Sequence, residues 1–172
     1  IEAHREETFE STGLYGQNAV LLSVDGKMAA SVGKGPVSED GNVSQAGWLH
    51  LFKLEKPITH RSVRVGTART TATSVGWSVD SKRLAAGKED GVCEVFDTQD
   101  LRRLVSNNLH RGSVDAIAWH PNGDRIASGG EDHTVRIWDA VSGEILLTIP
   151  MQEKVKQLEW SLDGLMLAAK DS

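Results

Sequence analysis

Residues 110–149 read HRGSVDAIAWHPNGDRIASGGEDHTVRIWDAVSGEILLTI, and this stretch decides the fold. Residues 114–119 form a short, mostly apolar run ending on Trp119. Residues 125–129 follow the turn Pro121-Asn122-Gly123. Residues 134–138 have the β-branched and aromatic content of a strand, with alternation, and residues 144–149 form a fourth run entered through Ser142-Gly143. No window of a dozen residues keeps a helical period. Short strands joined by Gly, Asn and Asp turns predict an antiparallel meander of four strands.

The pattern returns on both sides. Trp77, Trp119 and Trp160 lie 42 and 41 residues apart, each closing an apolar run. Each is followed by a turn (Ser78-Val79-Asp80-Ser81, His120-Pro121-Asn122-Gly123, Ser161-Leu162-Asp163-Gly164) and then by a small apolar pair: Leu84-Ala85, Ile126-Ala127, Leu167-Ala168. Such a period marks one supersecondary unit used repeatedly, which needs neighbours to bury its faces. The chain, 1–172, divides into units at about 14–66, 67–109, 110–150 and an incomplete 151–172. The second unit reads as strands at 73–77, 83–87, 92–96 and 101–105, with Phe96 at the place of Trp138 and Cys93 at that of Val135. The first reads as strands at 18–22, 27–32, 48–54 and 62–65, with Phe52 at the Trp138 place. Between its second and third strands, residues 33–47 read as a long loop rich in Gly, Ser, Asn and Asp, a length that marks a mobile or functional excursion. The last unit supplies strands at 155–160 and 165–169.

Composition narrows the function classes. With 39% apolar and 25% charged residues the chain is globular rather than disordered. Its net charge of −5 and singly scattered cations, Arg102-Arg103 apart, argue against nucleic acid, which wants clustered positive charge. No apolar run approaches the roughly 18 residues of a membrane span. The single Cys93 excludes an internal disulfide framework and fits a reducing, intracellular compartment, the cytoplasm being favoured. Asn42-Val43-Ser44 matches a glycosylation acceptor too short to outweigh chance. The chain starts at Ile1 rather than Met and ends part-way through a unit, so it reads as a piece of a longer protein.

Residues 110–149 resemble a repeat of the WD-repeat β-propeller family. Trp138-Asp139 is the dipeptide that names the family, and His110 stands where that family places a Gly-His histidine, although Leu109 replaces the glycine. The resemblance is strongest there, weaker over 72–105 and 155–169, and faint before residue 66. It implies an all-β chain, a partial β-propeller of four-stranded antiparallel blades, about seven of which close a ring. It also implies a structural tetrad of His110, Ser128, Asp132 and Trp138, hydrogen-bonded in series. The matching places in the second unit hold Ala68, Ala86, Asp90 and Phe96, and only Asp90 keeps the family's residue type. In the last unit Ala169 replaces the serine and Met151 stands near the histidine place. His4 is a candidate for the first unit's histidine.

His110, Ser128 and Asp132 also spell the components of a hydrolase triad, but Ser128 sits between Ala127 and Gly129 with no elbow around it, and the tetrad accounts for Trp138 as well. No catalytic residue is assigned. The six histidines form no set at metal-ligand spacing, so no metal and no cofactor is expected. Gly33-Lys34-Gly35-Pro36 lacks the spacing and the helix of a phosphate-binding loop. Trp48, Trp77, Trp119 and Trp160 read as core rather than as a stacking platform, because the last three are repeat-equivalent.

What remains is a binding surface. In the resembling family, partners sit on loops into the first strand and between the second and third. Here these carry Thr71, Thr73, Lys88 and Glu89, then Arg111, Ser113, Asp115, Glu131 and His133, with Lys154 and Lys156 beginning a third set. Mixed charge suits a protein or peptide partner, with no nucleic acid and no membrane. The function expected is a non-catalytic scaffold. The alternative is a regulatory or sensor propeller domain of a larger multidomain enzyme such as a kinase.

Overall fold

The structure, a computed structural model, describes residues 15–39, 42–65 and 70–172. Among these every regular element is a strand. The first sheet comprises β1 (Tyr15–Leu22), β2 (Met28–Glu39), β3 (Asn42–Lys53) and β4 (Thr59–Arg64). The second comprises β5 (Ala72–Trp77), β6 (Arg83–Lys88), β7 (Val92–Asp97) and β8 (Arg103–Asn108). The third holds β9 (Ala116–Trp119), β10 (Arg125–Gly129), β11 (Thr134–Asp139) and β12 (Ile145–Pro150), and β13 (Val155–Trp160) pairs with β14 (Leu167–Asp171) in a fourth. Strands neighbour one another in chain order and every pair is antiparallel. The described residues are therefore all-β, in three four-stranded antiparallel sheets and one two-stranded sheet.

The turn after each inner strand shows why the repeat is legible. Ser23, Ser78 and Ser161 each donate a hydroxyl to the aspartate two residues on, Asp25, Asp80 and Asp163, and His120 pairs with Asn122 in the same way. Each acidic or amide oxygen also accepts the backbone N–H two residues further along. The turn then needs one residue in the left-handed region. Gly26, Gly123 and Gly164 supply it at φ of 70°, 77° and 72°, and Ser81 adopts 58° in the second sheet.

The tryptophan period has a physical cause. The inner strands β1, β5, β9 and β13 lie side by side, and register places Leu22, Trp77, Trp119 and Trp160 at equivalent positions opposite Ala29, Leu84, Ile126 and Leu167. The Trp77 indole N–H donates to the Leu21 carbonyl at 3.2 Å, and that of Trp119 to the Gly76 carbonyl at 3.0 Å. Each ring thus hooks its sheet onto the one before it. Backbone bonds repeat the device at the other end of the inner strands: Val114 N–H to Lys88 O and Val155 N–H to Gly130 O.

Three apolar layers fill the gaps between successive sheets. Leu49, Leu51 and Val65 meet Trp77, Leu84 and Phe96. Val95, Val105 and Leu109 meet Trp119, Ile126 and Trp138. Ala127 and Val135 meet Val155 and Leu158. Full burial of a side chain of this size contributes about 1.5–3 kcal/mol. Trp77 and Trp119 are core residues, and Trp160 is half-buried against the third layer.

The structure corrects several boundaries. Residues 33–47 are not a loop: β2 and β3 continue in unbroken register from Met28↔Lys53 to Glu39↔Asn42, so the segment is a long hairpin. Its Gly and Ser content hid the strand signal, and Gly35 is required there because a Cβ would lie 2.6 Å from the Trp48 ring. The fourth strand of the second sheet begins at Arg103 rather than Leu101, which sits in the turn at φ 59° with its side chain buried. β4 starts earlier than residue 62, β9 later than residue 114, and β14 later than residue 165. His4 and Ala68 lie outside the described residues.

Candidate functional site

The third sheet gathers His110, Ser128, Asp132 and Trp138 into one chain of hydrogen bonds. His110 precedes β9, Ser128 is in β10, Asp132 is in the turn into β11, and Trp138 is near the end of β11. The Trp138 indole N–H donates to Ser128 Oγ at 3.1 Å. The Ser128 hydroxyl lies 2.7 Å from His110 Nε2, and His110 Nδ1 lies 3.0 Å from Asp132 Oδ1. With a neutral imidazole the direction is fixed: Ser128 donates to Nε2, and Nδ1–H donates to the carboxylate. Ser128 and Trp138 are fully buried and His110 is nearly so.

The electrostatics agree with this direction. Burial holds the His110 imidazole below its ordinary range, outweighing the raising effect of Asp132. Burial alone would raise the Asp132 carboxyl. Hydrogen bonds from His110, the Thr134 hydroxyl and the Arg111 backbone N–H hold it below the usual carboxylate range instead. Arg136 approaches the same carboxylate at 3.5 Å. Thr134 and Arg136 were not singled out in the sequence, where a Thr and an Arg on a half-exposed strand carry no special signal. Ser128 is fully buried, with its oxygen facing the His110 imidazole and the Trp138 indole. Cys93 packs on the same spot from the second sheet, fully buried, and burial pushes its thiol up to about 12.

The other sheets fill the equivalent positions differently. In the second, Ala86 and Glu94 stand where Ser128 and Arg136 pair in the third. Glu94, 1% exposed, receives the Lys88 ammonium at 3.5 Å, the Arg103 guanidinium at 3.0 Å and the Ser106 hydroxyl at 3.3 Å. An ion cluster around the buried Glu94 thus stands where Ser128 and Arg136 pair in the third sheet, and Lys88 is committed to it. In the first sheet the equivalent residues are Ser31 and His50. His50 Nδ1 lies 3.0 Å from His60 Nε2, and Trp48, His50, Phe52 and His60 stack in a ladder. The i, i+2, i+4 spacing of Trp48, His50 and Phe52 lies within the strand read at residues 48–54, but nothing in it announces His60 across the hairpin.

His50 makes stability pH-dependent. Burial, and secondarily the neighbouring His60, lowers its pKa from 6.5 to about 4. An unfolded imidazole takes a proton near pH 6.5, while the folded one stays neutral until about pH 4. Stability is therefore lost as pH falls through that interval, and His110 acts in the same direction. The expected loss between pH 7 and pH 4.5 is roughly 2 kcal/mol, read as a falling urea midpoint, with a shallower slope in His50→Asn. A midpoint that stays level or rises on acidification contradicts it.

The proposed binding residues separate into groups. Thr71 is 3% exposed, and its backbone N–H donates to Glu89. Burial removes its side chain from any surface. The Thr73 hydroxyl is bound to the Gly87 and Val114 carbonyls. Ser113 donates to Asp115, which pairs with Lys156 of the fourth sheet. Glu131 accepts the Ser113 N–H and pairs with Lys154 at 3.0 Å, and Glu89 lies 3.8 Å from Lys34 of the first sheet. The Arg111 side chain is exposed. Glu89, Asp115 and Glu131 each bridge two sheets, and the Asp115–Lys156 pair lies at a cavity of about 300 Å³ lined by residues 19–21, 73–75, 115–117 and 156–158 along the four inner strands. Among the described residues no three His, Cys, Asp or Glu side chains gather as metal ligands.

Residues 102–139 match the WD40 family, described as WD domain, G-beta repeat. Among solved structures the chain is similar to one in a crystal structure of the mitotic checkpoint complex, with 23% identity and a TM-score of 0.72 over 91% of this chain and 46% of that one. It is also similar to the structure of U3-55K and to the crystal structure of RRP9 WD40 repeats, each with 16% identity and a TM-score of 0.71 over 84% of this chain and 42% of the other. The chain spans less than half the length of each of these structures. Residues 102–139 thus match one WD40 repeat, and the antiparallel sheets share the fold of these propeller structures.

Proposed function

We propose that the chain is a non-catalytic scaffold whose rigid blades display loops to a protein or peptide partner. Domains of this fold generally bind proteins. The observation that carries the reading is the opening lined by the four inner strands, at which Asp115 pairs with Lys156 and beside which the exposed Glu131 pairs with Lys154. Exposed pairs contribute only about 0–1 kcal/mol, so a partner can exchange them for its own charges at little cost. The apolar walls Val75, Ile117 and Leu158 offer a floor beneath them. The reading assigns no chemical step: the His–Ser–Asp set is spent on holding the third sheet.

Affinity capture with the full chain tests it. Asp115→Lys with Glu131→Lys reverses two carboxylates at the opening without touching a buried layer. A partner retained by the wild type is expected to be lost by the double variant and kept by a charge change on the outer strand β8. Undiminished capture by the double variant removes this face from the function.

A further inference from the structure

The two ends of the sheets differ in character. Among the described residues, the turns β6–β7 and β10–β11 and the segments leading into β9 and β13 carry charge and expose no large apolar side chain. At the other end, the turns β1–β2, β5–β6 and β13–β14 expose Val24, Val79 and Leu162, and the turn β11–β12 exposes Val141. Register places Val24, Val79, Pro121 and Leu162 at one equivalent position, just beyond Leu22, Trp77, Trp119 and Trp160. Each turn is held by the residues on either side of that position, so the fold does not require an apolar side chain there.

The departure is greatest in the fourth sheet. Leu165 stands where the other sheets have Lys27, Lys82 and Asp124, and Met166 where the second and third have Arg83 and Arg125. Leu162, Leu165 and Met166 are 98%, 83% and 68% exposed. Lys27, Lys82 and Asp124 are exposed as well, so exposure at this place belongs to the turn itself, whatever packs beyond the sheet. Neighbouring turns are joined. The Arg83 guanidinium donates to the Gly123 carbonyl at 2.6 Å, and His120 Nε2 lies 3.1 Å from the Gly164 carbonyl oxygen. The Ala140 N–H donates to the Asp124 carbonyl, which brings the turn of Val141 beside that of Pro121. The tips of the second, third and fourth sheets thus form one apolar rim.

From this arrangement we propose that the rim is a docking site for an amphipathic helix of a partner protein, with an apolar stripe and basic flanks, separate from the opening between the inner strands. The turns offer no strand edge, because they close on themselves. The Gly123 and Gly164 N–H groups donate to the His120 and Ser161 carbonyls, and Asn122 and Asp163 accept the N–H two residues on. Recognition therefore falls to side chains, and apolar residues at helical spacing present such a stripe. Charge sets the flanks. The fourth turn, residues 161–166, holds the carboxylate of Asp163 and no cation, and Glu159 at the end of β13 is exposed. In the neighbouring turns Arg83 is bound to the Gly123 carbonyl and lies over the Trp119 ring, and Arg125 stands beside Asp124. Lysines on the flanks of a helix meet these carboxylates. An anionic lipid surface, which selects clustered cations, is repelled by them, and a second copy of the chain sets the same carboxylates against themselves.

The test titrates the full chain with a fluorescein-labelled helical peptide of Leu and Lys, with Leu at i, i+3, i+4 and i+7. The controls are a scrambled peptide of the same composition, a Leu-Glu counterpart, and vesicles of phosphatidylcholine with phosphatidylserine. The expected result is saturable binding of the Leu-Lys helix alone, with a gain of helical circular dichroism on mixing. Leu162→Ser with Leu165→Lys gives the fourth turn the polar surface that Lys27 and Lys82 give the first two. That variant is expected to weaken binding at least about tenfold, with an unchanged thermal transition. Val79→Ser, in the second sheet, is expected to weaken it at least about threefold. Asp115→Lys with Glu131→Lys alters the opposite end of the sheets and is expected to leave binding unchanged, so the two surfaces are judged separately. Absent binding, equal binding of the scrambled or Leu-Glu peptide, equal affinity for the vesicles, or undiminished affinity in the folded variants overturns the proposal. Self-association of the chain that Leu162→Ser abolishes assigns the rim to a second copy and overturns it as well.

Discussion

Trp138→Ala is expected to lower the stability of the protein by about 3–5 kcal/mol. Trp138 is fully buried, the largest such side chain among the described residues, in the layer between the second and third blades. Its removal takes away the apolar contacts with the second blade and leaves a cavity between two sheets that cannot close without moving their strands. It also takes the indole donor from Ser128 Oγ. Trp138→Phe separates the two losses. Phe96 occupies the equivalent position in the second blade, fully buried, so the site accepts a phenyl ring. That variant is expected to cost only about 1–2 kcal/mol, through a smaller volume deficit and the lost hydrogen bond. Chemical denaturation with both variants checks this. Equal costs for Ala and Phe would show that the hydrogen bond, not the packing, is what Trp138 supplies.

The equivalence of Phe96 and Trp138 is legible in the sequence alone, and its cause is local. Turn chemistry recurs at fixed spacing because each sheet needs a left-handed turn residue and an aspartate or asparagine cap, and in the second and third sheets an indole is hooked on the previous inner strand. Those constraints act within a few residues, so they survive in the sequence. Charge placement obeys no such local rule. Lys88 read as surface because nothing nearby in sequence announces Glu94 across the hairpin, and Thr71 read as a binding residue because its burial depends on how the first two blades meet. The hairpin of β2 and β3 failed for a different reason. Gly35 permits the close approach of the Trp48 ring, and that reason lies across the sheet, not along the chain.

The hydrogen-bond chain of the third blade yields the second large effect. Asp132→Ala is expected to cost about 3 kcal/mol, because one carboxylate serves four donors: His110 Nδ1, the Thr134 hydroxyl, and the backbone N–H groups of Arg111 and Thr134. His110→Ala is expected to cost about 2 kcal/mol, since it strands the Ser128 hydroxyl in a fully buried place and opens a void. Once Asp132 is gone, the imidazole is already unmoored at Nδ1, and removing it strands little more. The double variant should therefore fall short of the summed costs by about 1 kcal/mol or more. The pH dependence gives a second reading of the same coupling. Asp132 raises the His110 pKa against the lowering effect of burial. In Asp132→Ala the imidazole should resist protonation further, and the loss of stability below pH 6.5 should extend lower. Ser128→Ala joined to Trp138→Phe should be the mildest way to dismantle the network, because the second blade already holds Ala86 and Phe96 at these positions. Additive costs for His110 and Asp132 in the cycle would mean that the two residues stabilise the blade independently and that the series of hydrogen bonds is not a single network.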